Sequence, residues 1–198
     1  MSFSQNIKYY DKEGESFANV TIDNLTFNCR VKGLNNSGDA VILLHGFPET
    51  SRMWHDLIRI LDNNNFRIIA PDQRGYSQSA RPLKVDDYVI NKLSEDIINI
   101  ANEFKFGPFH LIGHDWGSAV GWHITSKNPD NVLTFTALSV PHLDSFFEAI
   151  KNDEEQQKKS QYISLFMKPL LPELYFKIFH YKYLKNIWSE SSDYEIKK

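Results

Sequence analysis

Apolar and polar residues alternate along the first part of the chain and then give way to short, largely apolar runs. Residues 20–31 alternate on both sides of the turn Asp23-Asn24, which predicts a β-hairpin. Short, largely apolar runs are typical of strands covered on both faces. They occupy residues 40–44, 66–70, 109–112 and 132–138. The pattern therefore predicts a sheet that begins with antiparallel strands and continues with buried ones.

Three segments between these runs repeat apolar residues at helical spacing, which predicts helices over residues 53–61, 93–104 and 116–124. Thr50 or Ser51 is expected to cap the first helix, and Asp86 or Asp87 the second. Strands that alternate with helices indicate the α/β class, in which a mainly parallel sheet is flanked by helices on both faces.

The alternation of strands and helices stops near residue 140. A charged run at residues 151–159 is followed by an aromatic-rich stretch at residues 162–183, and we interpret both as helical. We therefore expect two regions. Residues 1–140 form the sheet and its helices, and residues 141–198 form a separate helical segment.

Composition and charge exclude several classes of function. The chain has 198 residues, a net charge of -3 and no basic stripe, so we expect no nucleic-acid partner. A single cysteine, Cys29, cannot form an internal disulfide, which fits a reducing compartment. No stretch is apolar enough for a signal peptide or a membrane-spanning helix. We expect a soluble, cytoplasmic protein without a membrane span, and its oligomeric state is open.

The most specific motif is Gly113-His114-Asp115-Trp116-Gly117, which lies between a predicted strand and a predicted helix. Its spacing is that of a nucleophile elbow, with aspartate where serine usually stands. The two glycines let strand and helix approach closely, so that the central side chain is exposed above the sheet. The alternative is that Asp115 only caps the following helix. The strand, both glycines and the helix together favour the elbow.

An aspartate at this position changes the expected reaction. A carboxylate is ionised at neutral pH and needs no base to attack a saturated carbon of an epoxide or a carbon–halogen bond. The resulting alkyl ester would be hydrolysed by a water that a histidine activates. Backbone N–H donors should then face the Asp115 carboxyl group, and we expect them from Trp116 and from Phe47 in His45-Gly46-Phe47-Pro48. We expect neither a metal nor a cofactor.

These motifs resemble those of epoxide hydrolases and the related haloalkane dehalogenases within the α/β-hydrolase superfamily. The resemblance runs from about Asn19 to the last residues, and it rests on His45-Gly46-Phe47-Pro48 with Trp54, on Asp72-Gln73-Arg74-Gly75-Tyr76 and on the motif at 113–117. It implies an α/β-hydrolase fold without its C-terminal strands, and an incomplete helical cap over residues 141–198. It also implies a small-molecule substrate, an epoxide or related electrophile, in a pocket at Phe47, Pro48 and Trp116. Residues 156–163 resemble the cap segment whose tyrosine helps to open the epoxide, which makes Tyr162 the candidate acid.

A haloalkane dehalogenase-like hydrolase and a catalytically inactive binding module are the alternatives. Phe47 has no side-chain donor for a halide, which favours an epoxide. The resemblance also implies that the catalytic acid and histidine follow the cap, and no histidine of this chain matches that position; the candidates are His114, His123, His142 and His180. We therefore expect a fragment that forms the ester but does not turn over, with residues 132–138 unpaired along one edge.

Overall fold

The computed structural model describes residues 4–166 together with Lys168, Pro172, Leu174 and Ile178, without the side chains of Tyr162, Ser164 and Leu165. Within this part of the chain seven strands form one sheet. They are β1 (Ile7–Lys12), β2 (Glu15–Ile22), β3 (Leu25–Lys32), β4 (Ala40–Leu44), β5 (Arg67–Pro71), β6 (Phe109–His114) and β7 (Val132–Leu138).

The sheet has the strand order β1-β2-β3-β5-β4-β6-β7. Its first strands are antiparallel to their neighbours as far as β5, whereas β5, β4, β6 and β7 run parallel to one another. This arrangement confirms the predicted α/β class with its antiparallel beginning. Strand β1 was not predicted, because five of its six residues are exposed and it lacks the alternation of a half-buried strand.

Six α-helices lie in the described part of the chain. They are α1 (His55–Asn63), α2 (Ile90–Glu103), α3 (Trp116–Lys127), α4 (Leu143–Asn152), α5 (Glu154–Lys159) and α6 (Gln161–Phe166). None of the helices described is long and apolar enough to cross a bilayer.

Strand β4 shows how the helices cover both faces of the sheet. Ile42 and Leu44 belong to one buried apolar cluster, which includes residues of α2 and α3, whereas Val41 and Leu43 belong to a second cluster that includes Ile58 of α1. Successive side chains of a strand point to opposite faces, so a wholly apolar strand is the sequence signature of this two-sided burial.

The helix starts agree in part with the sequence in one case and differ in the other. Thr50 is a cap, but of the short 3₁₀ helix Ser51–Trp54 that leads into α1; α1 itself begins at His55 after Trp54 and has no side-chain cap. The prediction for α2 is wrong, because α2 begins at Ile90 after Val89, and Asp86 and Asp87 lie in a separate 3₁₀ helix, Val85–Tyr88. The Asp87 carboxylate accepts a hydrogen bond from Lys92 Nζ at 2.6 Å instead of capping the helix.

Contacts divide the chain into two compact units. The first ends at Leu143 and contains the whole sheet, and the second begins at Asp144 and contains α5 and α6. Every contact of the candidate site described next lies within the first unit.

Candidate active site

The turn from β6 into α3 places Asp115 in an unusual backbone conformation. Its φ of 50° and ψ of -119° lie in a region that non-glycine residues rarely occupy. Such a conformation costs of order 1–3 kcal/mol and persists only where neighbouring contacts hold it. Here the Asp115 N–H donates to the Leu138 carbonyl at 3.1 Å, and the Asp115 carbonyl accepts from the Ser118 N–H at 2.9 Å.

The two glycines of the motif allow the turn to be this tight. A Cβ atom on Gly113 would lie 2.5 Å from the Gly117 carbonyl oxygen, and one on Gly117 would lie 2.2 Å from the Leu44 carbonyl oxygen. Both positions therefore require glycine, because backbone from β6, α3 and β4 meets there without room for a side chain.

The side chain of Asp115 does not act as a helix cap. Asp115 precedes α3 but makes no side-chain capping hydrogen bond. By contrast, Asp153 precedes α5, and its Oδ1 accepts from the N–H groups of Glu155 at 2.8 Å and Gln156 at 3.1 Å. The capping alternative considered from the sequence is therefore wrong for Asp115.

The Asp115 carboxylate instead contacts the loop after β4. The Phe47 N–H donates to Asp115 Oδ1 at 2.9 Å, so the donor predicted from the sequence lies at the predicted carboxylate. Gly46 permits the approach, since a Cβ atom there would lie 2.5 Å from Asp115 Cβ and 2.7 Å from Oδ1. The peptide bond between Phe47 and Pro48 is cis, and Pro48 is half-buried.

Trp116 is the first residue of α3. Its N–H belongs to the first turn, where N–H groups have no acceptor within the helix and can face an anion. Its side chain is 60% exposed. The Trp116 N–H thus directly follows Asp115 in the chain, and its place as a second donor stays a prediction, while its side chain is exposed.

His45 holds the loop in place. Its side chain is fully buried, and its Nε2 accepts from the Gln73 N–H at 3.1 Å. Because Nε2 is an acceptor, the ring proton lies on Nδ1, which donates to the Gly46 carbonyl at 2.9 Å. Burial lowers the pKa of His45, so this neutral form persists. Gln73 closes the contact by donating from Nε2 to the His45 carbonyl at 2.5 Å.

A second contact joins the loop to the turn on the other side of Asp115. His114 Nδ1 lies 3.0 Å from Glu49 Oε2, and both side chains are mostly buried. The hydrogen bond with Glu49 raises the pKa of His114. The sequence analysis did not identify Glu49 as the partner of His114; the only signal was that Glu49 directly follows Phe47-Pro48.

Tyr76 also borders this group of residues. Its ring packs edge-on against His45 at 4.5 Å between centroids. Burial, with smaller effects from the charges of Asp115 and Glu49, raises the pKa of Tyr76 to about 12, so its phenol remains protonated at neutral pH. The resemblance had pointed to the segment that contains Tyr76 without giving this residue a role.

The structure describes the remaining candidates only in part. Tyr162 lies within α6, and its side chain is outside the described residues, as is the whole of His180. The His142 ring packs edge-on against Trp122 at 5.1 Å, and His123 lies in the middle of α3. Among the described residues no group of three or more histidine, cysteine, aspartate or glutamate side chains could hold a metal ion.

Residues 39–192 match the family model described as alpha/beta hydrolase fold. The chain belongs to the α/β-hydrolase fold family. This confirms the fold that the motifs implied, with Asp115 at the turn after β6 and Phe47 after β4.

Comparison with individual relatives shows which members of this family the chain resembles. An AB hydrolase superfamily protein of Bacillus subtilis is 37% identical over 154 residues, which are 78% of this chain and 54% of that protein. Human epoxide hydrolase 4 is 34% identical over 152 residues, 77% of this chain and 42% of that protein. The crystal structure of Bacillus megaterium epoxide hydrolase with an inhibitor superposes with a TM-score of 0.69 at 28% identity, covering 84% of this chain and 54% of that one. The chain is therefore an epoxide hydrolase-like α/β hydrolase that spans about half the length of these relatives.

Proposed function

We propose that Asp115 is the nucleophile of an epoxide hydrolase-type reaction and that this chain carries its first, alkylating half. The carboxylate attacks a ring carbon of the epoxide, the carbon–oxygen bond of the ring breaks, and the ring oxygen takes a proton. The product of this step is an ester between Asp115 and the opened substrate.

The observation that carries the proposal is the Phe47 N–H donating to Asp115 Oδ1 at 2.9 Å. If the Asp115 carboxylate served only to stabilise the start of α3, it would be expected to cap that helix, as Asp153 caps α5. The Phe47 contact instead orients Asp115 and leaves a donor beside the carboxyl oxygen. Charge accumulates on that oxygen when water attacks the ester carbonyl, and the Trp116 N–H is the proposed second donor.

An epoxide fits this site better than a haloalkane. Halide release needs side-chain N–H donors around the departing anion, and Phe47 offers none. The indole of Trp116 is one such donor, and its exposure favours contact with substrate over burial. A ring oxygen requires only a proton donor, the role proposed for Tyr162. A haloalkane dehalogenase-like reaction is therefore the second candidate function.

The two histidines that flank Asp115 in the site are already engaged and are not proposed as the base of the hydrolytic half. His45 uses both ring nitrogens in hydrogen bonds to the loop and to Gln73, and His114 Nδ1 is bound to Glu49. An ester on Asp115 should therefore accumulate on this chain, whereas a complete enzyme would hydrolyse it.

The test is the stoichiometry of the reaction with a small reactive epoxide such as styrene oxide. The expected result is one covalent adduct per chain by intact mass and no continuing release of diol. Asp115→Ala should form no adduct, while Asp153→Ala, the matched helix-capping aspartate, should react like wild type. A wild-type chain without adduct, or an adduct that survives Asp115→Ala, would refute the proposal.

A further inference from the structure

Gln73 is a buried polar residue that has no part in the proposed reaction itself. It lies in the turn after β5 and is only 8% exposed. Because β5 pairs in parallel with β4, this turn lies beside the loop that carries Phe47. A buried amide requires a hydrogen-bond partner, and the Gln73 side chain finds its partner in that loop. Gln73 therefore connects the ends of two neighbouring strands.

Gln73 binds His45 at two points, one through its side chain and one through its backbone. The side-chain Nε2 donates to the His45 carbonyl at 2.5 Å, and the backbone N–H donates to His45 Nε2 at 3.1 Å. Any residue except proline could supply the backbone donor. Only the side-chain contact depends on which residue occupies this position, and it determines where the His45 carbonyl lies.

His45 in turn orients the peptide group whose N–H faces Asp115. His45 Nδ1 donates to the Gly46 carbonyl at 2.9 Å, and the Glu49 N–H donates to the same oxygen at 3.1 Å. The Gly46 carbonyl and the Phe47 N–H belong to one planar peptide group and point in opposite directions. The Phe47 N–H therefore points away from His45 and donates to Asp115 Oδ1 at 2.9 Å. Hydrogen bonds linked in this way also polarise one another.

We propose that Gln73 is a positioning residue for the nucleophile, Asp115. Its amide holds the His45 carbonyl, and His45 holds the peptide group that donates to the carboxylate. Without the amide, the His45 carbonyl loses its donor inside the protein, so the loop shifts and the Phe47 N–H no longer orients Asp115. The effect on the rate of alkylation rests on the proposed function, whereas the position of the Phe47 N–H does not.

Nuclear magnetic resonance of the isotope-labelled chain tests the position of the Phe47 N–H. Gln73→Met keeps the length of the side chain and removes its amide. The Phe47 amide resonance should move in this variant toward its position in Asp115→Ala, because both substitutions remove the hydrogen bond to the carboxylate. A Phe47 resonance that stays at its wild-type position in either variant would overturn the proposal.

Asn36→Leu is the matched control, because it removes another side-chain amide that donates to a backbone carbonyl. The half-buried Asn36 donates to the Phe66 carbonyl at 2.9 Å, and it precedes β4 whereas Phe47 follows that strand. The control should leave the Phe47 resonance at its wild-type position. The same movement in Asn36→Leu as in Gln73→Met would overturn the proposal, because general destabilisation would then account for both.

The rate of epoxide adduct formation tests the consequence for reactivity. With timed intact mass over a range of styrene oxide concentrations, Gln73→Met should lower the maximal rate about tenfold or more. The half-saturating concentration should not change, because the buried amide is bound to His45 and not to the substrate. Asn36→Leu should react like wild type.

A wild-type maximal rate in Gln73→Met, or a change in the half-saturating concentration alone, would contradict the positioning role. If Gln73→Met lacks native circular dichroism, Gln73→Leu gives the same comparisons. A wild-type chain that forms no adduct would refute the proposed function instead, and the Phe47 resonance would then decide whether Gln73 positions the loop.

Discussion

Gly46 determines how closely the loop after β4 can approach Asp115. A Cβ atom at this position would lie 2.5 Å from Asp115 Cβ, which forces either the loop or the carboxylate to move. Gly46→Ala should therefore cost about 1–3 kcal/mol of unfolding free energy. It should also reduce the rate of epoxide adduct formation, because Phe47 no longer orients Asp115. Urea unfolding and timed intact mass measure the two effects.

Gly107 provides the matched control for this substitution. A Cβ atom on Gly107 would meet nothing within 4 Å. Gly107→Ala should leave both stability and adduct formation at wild-type values or raise stability slightly. If Gly46→Ala behaves like Gly107→Ala in both assays, the close contact between the loop and Asp115 determines neither stability nor the rate of adduct formation.

The pair formed by Glu49 and His114 should make stability depend on pH. Glu49 raises the folded-state pKa of His114, so the pair contributes fully below the unfolded pKa, about 6.5, and loses its contribution as pH rises through the folded value. Glu49→Gln should therefore destabilise the chain by about 1 kcal/mol at pH 6 and by less at pH 9. Urea unfolding at both pH values is the measurement.

Glu148 on α4 is exposed and serves as the control for this charge removal. Glu148→Gln should change stability little at either pH. If the loss of unfolding free energy in Glu49→Gln stays constant or grows between pH 6 and pH 9, Glu49 does not stabilise the charged form of His114.

The sequence could predict some of these residues and not others. Asp115 and its glycines form a continuous motif between a strand and a helix, and Phe47 lies in a second short motif, so local spacing was sufficient. The contact of Glu49 with His114 joins residues 65 positions apart. It depends on side-chain directions that neither motif specifies.

At the scale of elements, Arg74 and Asp96 connect the turn after β5 to α2. Arg74 donates from Nε and Nη2 to the two Asp96 oxygens at 2.7 and 2.6 Å, and the side chains are only 10% and 6% exposed. The Asp96 hydrogen bond raises the pKa of Arg74, which remains charged. Asp96→Asn should cost about 3–5 kcal/mol, because it leaves a buried guanidinium without its counter-charge. The urea midpoint measures the loss.

Asp56 is a suitable control because its partner Arg59 lies 3.8 Å away on the exposed face of α1, with both side chains more than two-thirds exposed. Asp56→Asn should change stability by less than about 0.5 kcal/mol. A similar small effect for Asp96→Asn would show that the link between β5 and α2 does not contribute as proposed.

The buried elements could be predicted because burial determines their apolar pattern. β4 and β6 are visible in the sequence as apolar runs, and α3 is visible as an apolar repeat at helical spacing. The start of α2 could not be predicted in this way. Lys92 and Arg74 form hydrogen bonds with Asp87 ahead of the helix, and Arg74 is distant from Asp87 in the sequence. β1 was missed because an exposed edge strand with charged residues shows no such pattern.

At the scale of the molecule, the fold brings one pair of elements to the proposed reaction centre. The ends of β4 and β6 are neighbours in the sheet, so the loop with Phe47 and the turn with Asp115 meet at the same edge. This follows from parallel pairing and could be expected from the order of strands along the chain. The division into regions at 1–140 and 141–198 and the role of Tyr162 stay predictions.

The most direct test of the central claim is to locate the epoxide adduct by peptide mapping. Exposed carboxylates, including the helix-capping Asp153, compete as nucleophiles if reactivity follows exposure alone. We predict that a sub-stoichiometric dose of styrene oxide modifies the peptide containing Asp115 first, with fragment ions placing the added mass on Asp115. Modification spread over exposed acids, or concentrated on a residue other than Asp115, would contradict the assignment of Asp115 as the nucleophile.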